Sequence, residues 1–191
     1  MNTEQKGLTL IELMVTLTLL GIVLAAVAPG FGRWIANTKV RTTAEELQNA
    51  LRLAQTEAVR RNRQMVFMLT NDAPSLTATP TANANNWVVR ALPIAGETAD
   101  DSFFAGGGSF AKAQTVSVTG AAVVCFNSLG RQVANSSTGL GSNCAAPGAT
   151  SNYNVSASAS DRPMRVQTFR GGRIRMCDPA KTLSATVPDG C

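Results

Sequence analysis

From Leu8 to Ala28 the chain runs for 21 positions of apolar, small and hydroxyl residues with a single charge, Glu12. As a helix this stretch would extend about 32 Å, enough to cross the hydrocarbon core of a bilayer. The pattern then changes. From Arg33 to Arg61, Leu47, Leu51, Ala54 and Ala58 recur at helical spacing between Glu45, Arg52, Glu57 and Arg61, which predicts an amphipathic helix with one apolar stripe. Between the two lies Pro29-Gly30, a pair that removes one backbone donor and predicts a bend.

Beyond Asn62 the apolar runs shorten to strand length, and this part holds 12 of the 16 glycines, seven of the eight prolines and all four cysteines. Strands are expected at 64–70, 86–92, 115–118, 121–127, 153–157, 164–169 and 173–177. Loops are expected at 71–85 and at Gly106-Gly107-Gly108. The expected class is α+β: a long helix packed on an antiparallel β-rich head, divided as 1–7, 8–28, 29–61 and 62–191.

A length of 191 residues allows one domain plus an appendage, and 45% hydrophobic against 15% charged residues is enough for a packed core. No histidine is present. Its absence removes the commonest general base, the commonest zinc ligand and every Ser-His or Cys-His pairing, so the reading is a non-enzyme without cofactor or metal.

The head of the chain, Met1 to Gly7, is polar, and Lys6 beside the apolar run favours retention of that end on the cytoplasmic side. A secretory signal is the plainer alternative, with Ala25-Ala26-Val27-Ala28 as a cleavage site. Glu12 opposes it, because an acid inside the apolar run costs about 2.5–3.5 kcal/mol on insertion scales. Lys6-Gly7-Leu8-Thr9-Leu10-Ile11-Glu12-Leu13 resembles the cleavage and assembly motif of type IV prepilins and type II secretion pseudopilins. The resemblance implies cutting by a prepilin peptidase between Gly7 and Leu8, with N-methylation of Leu8, where the family usually has Phe. It also implies that Glu12, fifth after the cut, pairs with the amino terminus of a neighbouring pilin. Such exchange is physically sensible, since a carboxylate in lipid and a released amino terminus each need an opposite charge. The implied location is the bacterial inner membrane, single-pass with the head in the periplasm, and a pilus or pseudopilus after assembly. The β-rich head on a long helix is similar to the GspH/FimT group within this family.

Cys125, Cys144, Cys177 and Cys191 all lie in the part expected outside the cytoplasm, where disulfides form. Three connectivities are open. Pairing of neighbours, 125 with 144 and 177 with 191, closes the shortest loops and is preferred over the crossed alternatives and over a zinc site.

The basic residues are unevenly spread. Residues 102–160 carry only Lys112 and Arg131, whereas 162–181 carry six basic residues. Arg162, Arg165, Arg170, Arg173 and Arg175 have no acid among them, and Gly171-Gly172 divides two alternating segments as in a β-hairpin. With Arg170-Gly171-Gly172 as the loop, Met164, Val166 and Thr168 share one face with Ile174 and Met176. Arg165, Gln167 and Phe169 then share the other with Arg173 and Arg175. A two-residue Gly-Gly loop would shift the pairing but keep Arg173 beside Arg175.

Arginines in this arrangement suit phosphate, because each guanidinium is a planar fork of donors. Gly172-Arg173-Ile174-Arg175 resembles the Gly-Arg-x-Arg pattern of FimT-like minor pilins that capture DNA in natural transformation. It implies Arg173 and Arg175 as leading contacts, beside Gly172, with Arg170 and Arg165 in support. The alternatives are solvated arginines on a structural minor pilin priming a pilus, or on a GspH-like pseudopilin of type II secretion. Arg60, Arg61 and Arg63 are read as complementing the end of the helix dipole. Phe169 is read mainly as packing, Trp34 as interfacial and Trp87 as core. No element resembles a major-groove recognition helix, so little sequence preference is expected.

Overall fold

A computed structural model describes residues 7, 9–92, 103–110, 115–145 and 150–191; Leu8 and residues 1–6 lie outside them. The helix α1, Leu10–Arg60, opens at Thr9, whose backbone is extended and whose hydroxyl accepts the Glu12 N–H at 3.3 Å. Thr16 and Thr18 donate to the carbonyls of Leu13 and Val15, both at 2.9 Å, so their hydroxyls are satisfied within the helix. The helix ends where Asn62 takes a left-handed φ of 50°, and the Arg63 N–H closes onto the Ala58 carbonyl at 3.2 Å.

Among the described residues no single helix is long and apolar enough to cross a membrane, but Leu10–Ala25 and Gly30–Arg60 pass that test together and meet at 45°. The first of these stretches is exposed along its length. In the second, Val40, Ala44, Leu47, Leu51, Ala54 and Ala58 are buried, as the apolar stripe predicts.

Among the described residues the head has nine strands in two antiparallel sheets. They are β1 Met65–Thr70, β2 Asn86–Ala91, β3 Phe104–Ser109, β4 Val116–Thr119, β5 Val123–Phe126, β6 Gln132–Val133, β7 Thr150–Ala157, β8 Met164–Phe169 and β9 Ile174–Cys177. The five-stranded sheet runs β3-β2-β1-β5-β6 and the four-stranded sheet β4-β7-β8-β9. Phe67 of β1 meets Tyr153 of β7 edge to face at 5.7 Å, joining the sheets in the core beneath α1. A polar tie lies beside this contact. Gln132 donates to the Ser151 hydroxyl at 2.6 Å and accepts from the buried Thr168 hydroxyl at 3.0 Å.

The expected strands are all present, 164–169 with the same ends and the others with ends shifted, but Gly106-Gly107-Gly108 is part of β3 rather than a loop. Close neighbours favour glycine there: a Cβ on Gly108 would lie 2.7 Å from Trp87 Nε1, one on Gly107 2.6 Å from Pro74 Cβ, and one on Gly106 2.9 Å from Leu53 Cδ2. The short β6 carries too little apolar pattern to be read from sequence. Disulfides join Cys125 to Cys144 and Cys177 to Cys191, the pairing of neighbours.

Candidate nucleic-acid interface

β8 and β9 pair with Gln167 opposite Arg175 and Thr168 opposite Ile174. The Phe169 N–H donates to the Arg173 carbonyl at 3.0 Å, which leaves Arg170-Gly171-Gly172 as the three-residue loop. Gly172 has φ +89° and donates to the Phe169 carbonyl at 2.8 Å, the left-handed position that such a hairpin needs. The faces divide as this register requires. Val166, Thr168 and Ile174 are buried against the core, while Arg165, Gln167, Phe169, Arg173 and Arg175 lie on the opposite side.

On that outer side, Phe169 apart, the four-stranded sheet presents mostly polar side chains. Arg165 donates to Asn154 Oδ1 at 2.7 Å and Gln167 to Asn152 Oδ1 at 3.1 Å, and Ser117 meets Ser156 at 3.2 Å between hydroxyls. Arg173 is exposed, with its guanidinium carbon 4.1 Å from the centre of the Phe169 ring. The half-buried ring therefore serves as a platform that holds the guanidinium plane while its edge faces solvent. Arg175 is half-buried and donates to the Gly190 carbonyl, tying β9 to the tail that Cys177–Cys191 also anchors. Arg170 is exposed at the hairpin tip. In the tail, Lys181 pairs with Asp189, which holds that carboxyl below its ordinary range and raises the ammonium.

Gln55 of α1 fixes the hairpin tip, a role that the sequence does not disclose. Its side-chain amide donates to the carbonyls of Gly172 and Gly130, both at 2.8 Å. A Cβ on Gly172 would collide with the Gly130 carbonyl and lie 2.6 Å from Gln55 Nε2, so glycine is needed there for room as well as for φ. Gln55 stands one position after the buried Ala54, at the edge of the apolar stripe, and helical spacing alone cannot say which loops it meets. The second loop is better marked, since Asn127 Oδ1 accepts from the N–H groups of Leu129 and Arg131 and Gly130 has φ +71°.

The other expected residues fall as follows. Arg60 and Arg61 both bind Glu57, at 2.7 and 3.0 Å, and the Arg60 hydrogen bond is the main cause of a lowered Glu57 pKa. Arg61 also lies over the Phe103 ring, and Arg63 donates to the Leu92 carbonyl at 2.7 Å. These contacts are more specific than the helix-end role read from sequence. Trp87 is half-buried and donates to Glu46 at 3.0 Å, while Trp34 is exposed on α1. Gly7 is exposed, Leu8 lies outside the described residues, and Glu12 is exposed in the first turn of α1.

Residues 2–28 match the prokaryotic N-terminal methylation motif, and residues 43–172 match the family described as type II transport protein GspH. Two crystal structures of the type IV minor pilin FimU of Pseudomonas aeruginosa are similar. The form in space group P21 is 15% identical over 74% of this chain and 93% of that one, with a TM-score of 0.51. The P65 form is 14% identical over 73% and 96%, with a TM-score of 0.47. No curated protein is a significant match in sequence. The methylation motif implies processing by prepilin peptidase, membrane anchoring and assembly with other pilins. With more than half of its length matched, the chain belongs to the GspH family and is a minor pilin or pseudopilin of the type IV pilus and type II secretion group.

Proposed function

We propose that this minor pilin binds DNA without sequence preference through the β8–β9 hairpin and serves DNA uptake in natural transformation. The observation that carries the reading is the outer face of the four-stranded sheet. It sets Arg165, Arg173 and Arg175 on one acid-free side of a hairpin with Arg170 at the tip, and Arg173 is braced on Phe169. Each guanidinium has five N–H donors, so Arg175 keeps others for phosphate after bonding to Gly190. Flat polar neighbours such as Asn152, Asn154 and Gln167 let a duplex approach without burying a carboxylate against its phosphates.

In this reading the chain is cut between Gly7 and Leu8, Glu12 meets the amino terminus of the next pilin, and the head lies in the periplasm. The test uses the full chain in detergent micelles with unrelated duplexes at several salt concentrations. Wild type should bind with a salt slope of about −0.9 for each phosphate neutralised. Arg173→Ala with Arg175→Ala should lose most binding and keep its thermal unfolding. Equal binding by both proteins would refute the assignment. The match to type II transport protein GspH favours a second reading, a pseudopilin of type II secretion with no DNA ligand. Under that reading wild type fails to bind at low salt.

A further inference from the structure

The hairpin does not stand alone. Gln55 joins its tip to the 127–131 loop and to α1, and beside that junction a groove opens between helix and loop. Its walls are Arg52, Thr56, Val59 and Arg60 on α1 and Leu129 and Gly130 on the loop. Arg131 follows Gly130 and is exposed, as is Arg52. Among the described residues the groove and its rim hold one acid, Glu57, whose side chain is only 14% exposed and is bound by both Arg60 and Arg61. Arg60 itself remains 63% exposed. Positive charge therefore continues from the hairpin tip onto the last turns of α1.

We infer that the last turns of α1, through Arg52 and Arg60, form the second half of the DNA track, so that one duplex backbone crosses both hairpin and groove. The inference rests on the reading of the hairpin as a DNA-binding element. Continuity supports it, because a phosphate chain leaving Arg170 and Arg173 at the tip meets next the helix and loop that Gln55 holds there. Charge supports it too, since Arg52, Arg60 and Arg131 repeat the chemistry of the hairpin without an unpaired acid in the groove. The exposed Leu129 and Val59, 74% and 52% exposed, give the groove apolar edges of the kind that lie against deoxyribose. A second copy of this chain is a poorer occupant. Of the acids on its own α1, Glu45 and Glu46 are engaged by Arg41 and by the Trp87 indole, each at 3.0 Å, Glu57 is held by Arg60 and Arg61, and Glu12 lies in the apolar stretch at the other end of the helix.

The test compares full-length proteins in detergent micelles, using a 30-base-pair duplex of arbitrary sequence and fluorescence anisotropy across a salt series. Arg52→Gln with Arg60→Gln should lower affinity about tenfold and make the salt slope shallower by about 2. Arg33→Gln with Arg41→Gln removes the same charge from α1 outside the groove and should leave the slope at the wild-type value. A photo-crosslinking residue at Thr56 should attach to the duplex, a readout that does not depend on the arginine variants folding well. If the groove pair behaves like the control pair and Thr56 does not crosslink, while Arg173→Ala with Arg175→Ala still abolishes binding, the inference fails and the hairpin reading stands. If wild type does not bind DNA, both fail. Wild-type DNA binding by the groove pair together with loss of filament entry would assign the groove to a neighbouring pilin and overturn the inference.

Discussion

The two sheets of the head are built from the same antiparallel ladders and are each closed by one local disulfide, yet only one of them has both faces covered. In the five-stranded sheet every residue of β1 is buried. Phe67 and Leu69 face α1 and the main core, while Val66 and Met68 belong to a second cluster with Val88, Val123 and the Cys125–Cys144 bridge. In the four-stranded sheet, Val116, Val118, Tyr153, Val155 and Val166 fill the inner face, and the outer face carries Ser117, Asn152, Asn154, Arg165, Gln167 and Arg175. A sheet covered on both sides spends its side chains on packing. A sheet covered on one side has a face open for binding, and Arg165, Arg173 and Arg175 lie on that face.

Breaking the covered sheet should therefore cost stability, and the largest loss is expected where the sheets meet. Phe67→Ala removes a fully buried ring and its edge contact with Tyr153, and should destabilise by about 3–5 kcal/mol, measured by denaturant unfolding. The same pair responds to pH. Burial pushes the Tyr153 phenol well above its ordinary value near 10, so the folded chain holds this proton more tightly than the unfolded chain. Its contribution to stability is complete below about pH 10 and is lost as the pH rises beyond that, because the unfolded chain then gives up the proton. Tyr153 is the chain's single tyrosine, so Tyr153→Phe should flatten this alkaline limb. It should also cost about 1 kcal/mol at neutral pH through loss of the 3.0 Å bond to the Ala121 carbonyl. An unchanged alkaline limb in the phenylalanine variant would contradict the assignment.

The polar tie between the sheets comes next. Gln132→Ala strands the hydroxyls of Ser151 and buried Thr168, and should cost about 1–3 kcal/mol while leaving DNA affinity within twofold. A loss of affinity larger than the loss of stability can explain would show that the sheets are coupled more closely than their separate coverings suggest.

How much of this was legible follows from the same contrast. Alternation of period two placed the β8–β9 hairpin and the side on which Arg173 and Arg175 lie, because one face is buried and the other is not, but it left the loop open between two residues and three, a choice that the Phe169–Arg173 hydrogen bond makes. The buried stripe Leu47, Leu51, Ala54 and Ala58 was equally plain. β3 was missed because three consecutive glycines carry no hydrophobic pattern; their place in a strand comes from backbone pairing with β2 and from the close neighbours Trp87, Pro74 and Leu53, all long-range contacts. Gln55 was missed for a related reason. A polar residue at the edge of an apolar stripe has an ordinary solvent-facing role in most helices, and only the folded chain brings the carbonyls of Gly130 and Gly172 to it. Arg175 was legible as a member of the arginine face, but its bond to Gly190 depends on the course of the tail.

The smallest effect on stability is expected on the open face, where the comparison can be sharpened by adding to the site. Asn152 is exposed on β7 opposite Gln167, one strand from the hairpin arginines, and its single described contact is the 3.1 Å bond from that glutamine. Asn152→Lys keeps a polar side chain on a solvent-facing strand position but removes the acceptor of the Gln167 amide, so it should cost about 0.5–1 kcal/mol. If the outer face carries DNA, the added ammonium lies along the same track. Affinity for an unrelated duplex should then rise several-fold at low salt, with the salt slope steeper by about 0.9. A lysine placed at exposed Ser136, in the loop over the five-stranded sheet, alters net charge equally and should leave that slope unchanged. If both lysines steepen the slope alike, DNA responds to net charge alone and the distinction between a packing sheet and a binding sheet fails.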